Sequence, residues 1–308
     1  MKVALQPNMS VRGWPAEAGS KALERYVALE DATVVERLKH AGAVLVGNTR
    51  MSELGFGLAG DTTSRALSEG HADCALVTDT LGEARVAAAT AGLWGFKPTY
   101  GIVSRFGLIG LVPSMESYSV IAANAGVIAP VMQVIAGRDE RDFSMPDLAI
   151  PEFRLDGNGG DAIRHVAVLK ESLALLSPED GKAFLPALSR LEKAGFSLRE
   201  ESMAEFDLFR TVHQVVGAVE ASSSAGKYDG VRYGHRAASA KNWNEMYLKS
   251  RAESFGLTVK AYLFQGAYFQ FENYDAFEDA CRIRARLVKA MENLLARVDA
   301  VAFPTQRK

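Results

Sequence analysis

Residue types that do chemistry are sparse in this sequence, and their spacing fits few kinds of site. Gly55, Gly57 and Gly60 form a GxGxxG pattern with Asp79 further on. In a dinucleotide site such glycines let the backbone approach a pyrophosphate, and an acid about twenty residues later takes the ribose. The context is wrong for that. Asn48 to Leu54 separate the preceding apolar run from Gly55, and the segment from Asp61 to Glu69 is short and polar. A plain glycine loop is expected. Arg282, Arg284, Arg286 and Lys289 form a basic run on a helical segment, which reads as a solvated face. Arg284 stands out, because Phe277, Cys281, Arg284 and Val288 fall at i, i+4, i+7 and i+11. It is expected to interrupt an apolar row, where a buried guanidinium needs a carboxylate or a ligand; the two remain open. His40, His71, His165, His213 and His235 show no metal-like spacing. Cys74 and Cys281 form no zinc-like cluster, and each is expected to be a small core residue rather than a reactive thiol. No metal and no cofactor is expected.

The 308 residues are 48% hydrophobic and 23% charged, enough for a sizeable core. Lys+Arg number 35 against 37 Asp+Glu, a net charge of -2. That balance gives no reason to expect direct nucleic-acid binding through phosphates. The N-terminal apolar run is too short for a signal peptide, and no stretch approaches a membrane span. No membrane association is expected, and a cytoplasmic location is.

The elements that would position such residues read as α/β. Val3 to Leu5 suggests a buried strand. Asp31 is expected to cap a helix through Val34, Val35, Leu38 and Ala41, stopped by Gly42. Ala43 to Gly47 reads as a strand buried on both faces, as does Ala72 to Thr78. Residues 92–113, rich in Gly and Pro, read as short strands and turns, and 119–136 as an Ala-rich helix. His165 to Leu169 is a further strand. Ser177-Pro178-Glu179-Asp180 opens a helix that Gly195 ends, and FSLRE follows as a strand. Residues 204–297 read as largely helical, with a final strand at 298–303. A single domain over 1–308 is expected, with a sheet core in 1–150 and a mostly helical half in 151–308.

Several blocks carry a resemblance. Gly19-Ser20-Lys21-Ala22-Leu23, Ala41-Gly42-Ala43-Val44-Leu45-Val46-Gly47-Asn48-Thr49, Gly95-Phe96-Lys97-Pro98-Thr99-Tyr100-Gly101 and Tyr228-Asp229-Gly230-Val231-Arg232-Tyr233-Gly234 resemble the amidase-signature family. They are most similar to its branch of amidotransferase A subunits, and the resemblance covers nearly the whole chain. It implies a mixed β-sheet sandwiched by α-helices, incomplete at both ends relative to the family. It also implies amide hydrolysis by a Ser-cisSer-Lys triad, in which Lys draws a proton through the middle Ser from the nucleophilic Ser. Backbone N–H groups just before the nucleophile hold the oxyanion.

Carried over residue by residue, that machinery is absent. Gln6 stands at the Lys position, Ala59 at the middle Ser and Glu83 at the nucleophile. Asp79, Thr80, Gly82 and Arg85 match the family's nucleophile stretch, whereas Leu81 replaces a glycine. A remnant pocket is expected at Thr80, Leu81, Gly82 and Glu83, with Arg284 matching a family Arg that contacts substrate. The resemblance thus implies an inactive scaffold or partner subunit, through self-association or with a catalytic amidase or amidotransferase subunit. Three alternatives stay open. One is an amide hydrolase with a relocated site, using Thr62, Thr63 or Ser64 with Glu83 as base. Another is a module binding an amino acid or small amide between Glu83 and Arg284. The last is a degenerate product with no selected role.

Overall fold

The computed structural model describes residues 1–57, 63–155 and 163–305. In chain order its elements are β1 (Lys2–Leu5), α1 (Thr33–His40), β2 (Val44–Asn48), α2 (Thr63–Ser68), β3 (Cys74–Asp79), α3 (Glu83–Thr90), β4 (Trp94–Phe96), β5 (Ser117–Ala122) and α4 (Ala125–Ile135). These are followed by β6 (His165–Leu169), α5 (Lys170–Ala174), α6 (Pro178–Lys193), β7 (Ser197–Glu201), α7 (Leu208–Ser224), α8 (Trp243–Ser254), α9 (Leu257–Phe271), α10 (Tyr274–Leu295) and β8 (Ala300–Ala302). Contacts divide the chain into two units: Met1–Asp156 with Ala218–Ala267, and Gly157–Gly217 with Tyr268–Lys308. Among the described residues, no helix is long and apolar enough to cross a membrane.

The first unit holds a five-stranded mixed sheet in the order β2-β1-β3-β5-β4. β1 runs parallel to β2 and β3, and β5 is antiparallel to β3 and β4. Side chains alternate between the two faces of each strand. Val3, Leu5, Cys74 and Leu76 pack with α1 and α4, whereas Ala4, Ala75 and Val77 pack with α2 and α3. The second face is lined by small residues, so α3 approaches closely. A Cβ on Gly95 would lie 2.9 Å from the Ala88 methyl. β3 is buried along its whole length, as its apolar run predicts.

Three local expectations fail here. β2 alternates between exposed and half-buried rather than being buried on both faces, and Val44 and Val46 are 57% and 41% exposed. Its one neighbour is β1, and only the Leu45 side packs against the main core. The pairing skips Val46, which leaves Gly47 opposite Ala4 as a bulge with φ +142°. Asp31 does not cap α1; Ala32 is the cap residue. Asp31 instead accepts from the Arg12 N–H (2.7 Å) and the Lys39 ammonium (2.6 Å). Residues 119–122 belong to β5, and the helix starts at Ala125. An uninterrupted apolar stretch gives no periodicity to separate strand from helix, and six paired positions on β3 decide the outcome.

A carboxylate ties the α1 side together. Asp139 accepts from the hydroxyls of Thr33 and Ser104 (2.7 Å for the latter) and from the Arg141 N–H at 3.0 Å. Arg141 also reaches Glu36 at 2.6 Å and stacks on Phe106. Burial pushes the Asp139 carboxyl up, but hydrogen bonds from Thr33, Arg141 and Ser104 outweigh it and hold the group far below the ordinary range.

In the second unit β7, β6 and β8 form a parallel sheet in that order. Its core joins Ala167, Leu169, Met203, Leu294 and Val298. Ser177 caps α6 by accepting from the Asp180 N–H, with Pro178 in the first turn as the sequence implies. α10 buries Ala280, Leu287 and Leu294. The row through Cys281 and Val288 lies instead on its exposed side, so Arg284 is half-buried and interrupts no core row. The expectation that Cys281 is a core residue fails for the same reason, whereas Cys74 is buried. The largely helical reading of 204–297 holds over α7, α8, α9 and α10, with an irregular stretch between residues 228 and 242.

Candidate functional site

In the first unit α1 and α2 carry the chain out of β1 and back into β3 on opposite faces of the sheet. The strand order therefore reverses at β1, and the crevice beyond the carboxyl ends of β1 and β3 is where such sheets place their sites. Gln6 follows β1 there, Thr78 and Asp79 end β3, and Gly82 adopts a left-handed turn (φ +102°) that starts α3 with Glu83. Gln6 and Glu83 line one cavity of about 10 Å³, with Ser52, Gly55, Gly57, Thr78 and Ala87. That volume is at the threshold for a single water.

Both side chains are held by hydrogen bonds within the first unit. Gln6 is 3% exposed, and its Oε1 accepts from the Thr78 N–H (2.8 Å) and hydroxyl (3.0 Å). The Thr78 hydroxyl in turn accepts from Asn8 at 3.2 Å. An amide carbonyl fixed this way cannot take up a proton. Glu83 folds back on its own turn: Oε2 accepts from the N–H of Thr80 at 2.8 Å and of Leu81 at 2.7 Å. The Gly82 N–H is taken by Asp79 at 2.9 Å. All three backbone donors ahead of position 83 thus point at carboxylates of the chain itself. Glu83 Oε1 is buried and, among the described residues, has no hydrogen-bond partner. Burial, reinforced by the nearby Asp79 charge, pushes this carboxyl up to about 7 against the pull of its backbone hydrogen bonds.

Asp79, fully buried, is held by Arg85 through Nε and Nη2, each at 2.8 Å, and the guanidinium is raised by that bond. Burial lowers the nearby Lys97 ammonium, which donates to the Pro98 carbonyl at 3.3 Å. Among the other candidates, Ala59 and Thr62 lie outside the described residues. Thr63 is fully buried with its hydroxyl 3.0 Å from that of Thr49, and Ser64 donates to the Ala87 carbonyl. Arg284 belongs to the second unit, on α10. The structure thus brings together Gln6, Glu83, Thr80, Leu81 and Gly82. Sequence reasoning missed Asn8 and Thr78, which fix Gln6; short polar residues flanking two buried strands were the only signal. Among the described residues no group of His, Cys, Asp and Glu is arranged to hold a metal.

The model of the family described as Amidase matches residues 2–66 and 63–308. This chain belongs to the amidase family. Its relatives include the A subunit of glutamyl-tRNA(Gln) amidotransferase from Symbiobacterium thermophilum, 33% identical over 98% of this chain and 67% of that protein. The corresponding protein of Saccharolobus solfataricus is 30% identical over 98% and 68%, and that of Ralstonia pickettii 36% identical over 92% and 65%. The chain thus spans about two thirds of the length of these amidase-family relatives. The fold matches the crystal structure of the glutamyl-tRNA(Gln) amidotransferase A subunit from Thermotoga maritima with a TM-score of 0.76, at 23% identity over 99% of this chain and 69% of that one. It also matches the peptide amidase of Stenotrophomonas maltophilia, with a TM-score of 0.75 at 21% identity over 99% and 70%. A further match, at a TM-score of 0.79 and 21% identity over 97% and 65%, is a structure described as an unexpected vestigial protein complex revealing the origins of an s-triazine catabolic enzyme.

Proposed function

We propose that this chain is a catalytically inactive member of the amidase family that serves as a scaffold or partner subunit. The observation that carries the reading is the Glu83 carboxylate bonded to the N–H groups of Thr80 and Leu81. The family's amide chemistry would need those donors for a developing oxyanion. Here a carboxyl group of the chain already fills that role, and no hydroxyl stands at position 83. The Gln6 carbonyl, held by Thr78, cannot replace a lysine base. In a serine hydrolase the loss of one triad member can already remove about 10⁶ in kcat, so losing nucleophile and base together leaves no amidase route.

Partnership is supported by the relatives, which are named as the A subunit of an amidotransferase, and by a structural neighbour described as part of a vestigial complex. The partner proposed is a catalytic amidase or amidotransferase subunit, or a second copy of this chain. The test has two arms. A serine-reactive fluorophosphonate should leave the purified protein unlabelled, and neither glutamine nor simple amides should turn over. Light scattering, alone and with a co-expressed catalytic subunit, should give a mass above that of one chain. Labelling or turnover abolished by Glu83→Ala would overturn inactivity. A monomer under both conditions would overturn the partner role.

A further inference from the structure

Lys260 is the single charged residue of α9, and apolar side chains occur on every side of that helix. A helix of such composition is ordinarily buried all round. The inner side of α9 is. Val259 and Gly266 are buried, and a Cβ on Gly266 would lie 2.0 Å from the Ala218 carbonyl oxygen of α7. Tyr262 meets Phe56 edge to face, with ring centroids 4.7 Å apart. Lys260 turns back towards α8 and donates to the Ala252 carbonyl at 2.6 Å.

The outer side is open to solvent. Leu257, Ala261, Phe264, Tyr268 and Phe271 recur at steps of four and three, which aligns them along one face of the helix. All five are exposed: Leu257 by 85%, Phe264 by 74%, Tyr268 by 52% and Phe271 by 80%. The row is about 21 Å long and holds no charge. At these exposures roughly 150 Å² of each large side chain meets water. About 600 Å² of contiguous apolar surface is at the top of what a monomer ordinarily shows. Pairing the row with an identical one would withdraw about 1,200 Å² in total, which reaches the lower bound for a specific protein–protein interface.

We propose that this face of α9 docks a second copy of the chain, α9 against α9, about a two-fold axis at Phe264. Antiparallel pairing about that axis sets Ala261 opposite Tyr268 and Leu257 opposite Phe271, so the small residue faces a large one. Parallel pairing would instead set each side chain against its own counterpart. Two uncharged rows meet without repulsion, and one patch serves both copies, as a closed dimer requires. That self-complementarity singles out a second copy over a different subunit. The inference names the partner and the surface for the scaffold role above, and it rests on that reading.

Analytical ultracentrifugation of the full chain, up to about 100 μM, provides the test. The expected result is a dimer whose dissociation constant rises at least tenfold in Phe264→Glu, because that change sets two carboxylates face to face at the axis. Position 264 is exposed, so the variant is expected to fold; unchanged circular dichroism and melting confirm it. Leu257→Lys, at one end of the row, gives an independent reading and should weaken the dimer less. Phe143→Glu, at a side chain 96% exposed in the loop after α4, should leave the dimer intact. A wild type that stays monomeric, a Phe264→Glu dimer as tight as the wild type, or an equal loss in Phe143→Glu would each overturn the proposal. A chain that gains mass only with a co-expressed catalytic subunit would overturn the α9 pairing and leave the partner reading standing. A dimer that a fluorophosphonate labels would overturn inactivity and leave the α9 pairing standing.

Discussion

Replacing Glu83 by Gln should make the protein more stable at alkaline pH and leave it unchanged in acid. The Glu83 carboxyl sits at about 7 in the folded chain against an ordinary 4.5, chiefly because burial disfavours its charge. An acid whose folded pKa lies above its unfolded value holds its proton more tightly when folded. Stability therefore falls as pH rises from 4.5 towards 7, then levels off. The interval corresponds to roughly 3 kcal/mol of destabilisation at pH 8.5. Glutamine keeps a carbonyl to accept from Thr80 and Leu81, and the charge assistance on those bonds is already contained in the folded pKa. The net gain is then about 3 kcal/mol at pH 8.5 and near zero at pH 4.5. At ~2–4 °C per kcal/mol for a unit of this size, Tm should rise by about 6–12 °C at the alkaline end. Thermal melts of both proteins from pH 4.5 to 8.5 should give a difference curve that rises between pH 4.5 and about 7 and then flattens. A flat difference, or a variant less stable at pH 8.5, would refute the account of a charged carboxylate forced into its own backbone turn.

Arg85→Ala leaves the fully buried Asp79 without its guanidinium and should destabilise the first unit by about 3 kcal/mol, read by urea denaturation. Glu116→Ala removes the partner of Arg105 and the acceptor of the Leu111 and Val112 N–H groups. Its cost should also be about 3 kcal/mol or more, measured the same way. A thiol reagent at pH 8 should modify one cysteine in the native protein, Cys281, and both in denaturant. Cys74 is buried and its thiol is pushed up to about 12.

The sequence was most legible where one residue type has one physical use. Ser177-Pro178 marked the start of α6, and the runs of β3 and β6 marked buried strands. Gln6 and Glu83, far apart in the chain, were picked out by resemblance, and the fold brings them to one crevice. Exposure was less legible. β2 and the Cys281 row have apolar composition, yet what covers each face is set by distant elements that no local pattern encodes. The strand hidden in 119–136 was missed because its pairing partner, β3, supplies the deciding hydrogen bonds. The turning-in of Glu83 was equally invisible, since a glutamate at a helix start usually reads as a favourable charge on the dipole rather than as a plug for the preceding turn.

The Asp139 tether has a consequence for how the first unit meets acid. A depressed carboxyl contributes stability above its unfolded pKa and loses it only as pH falls through the folded value. Because Asp139 titrates far below ordinary carboxylates, the junction of Thr33, Ser104 and Arg141 stays fastened while exposed acids elsewhere are already neutral. Acid loosening should therefore begin away from this knot, and the N-terminal end of α1 should be among the last parts of the first unit to let go.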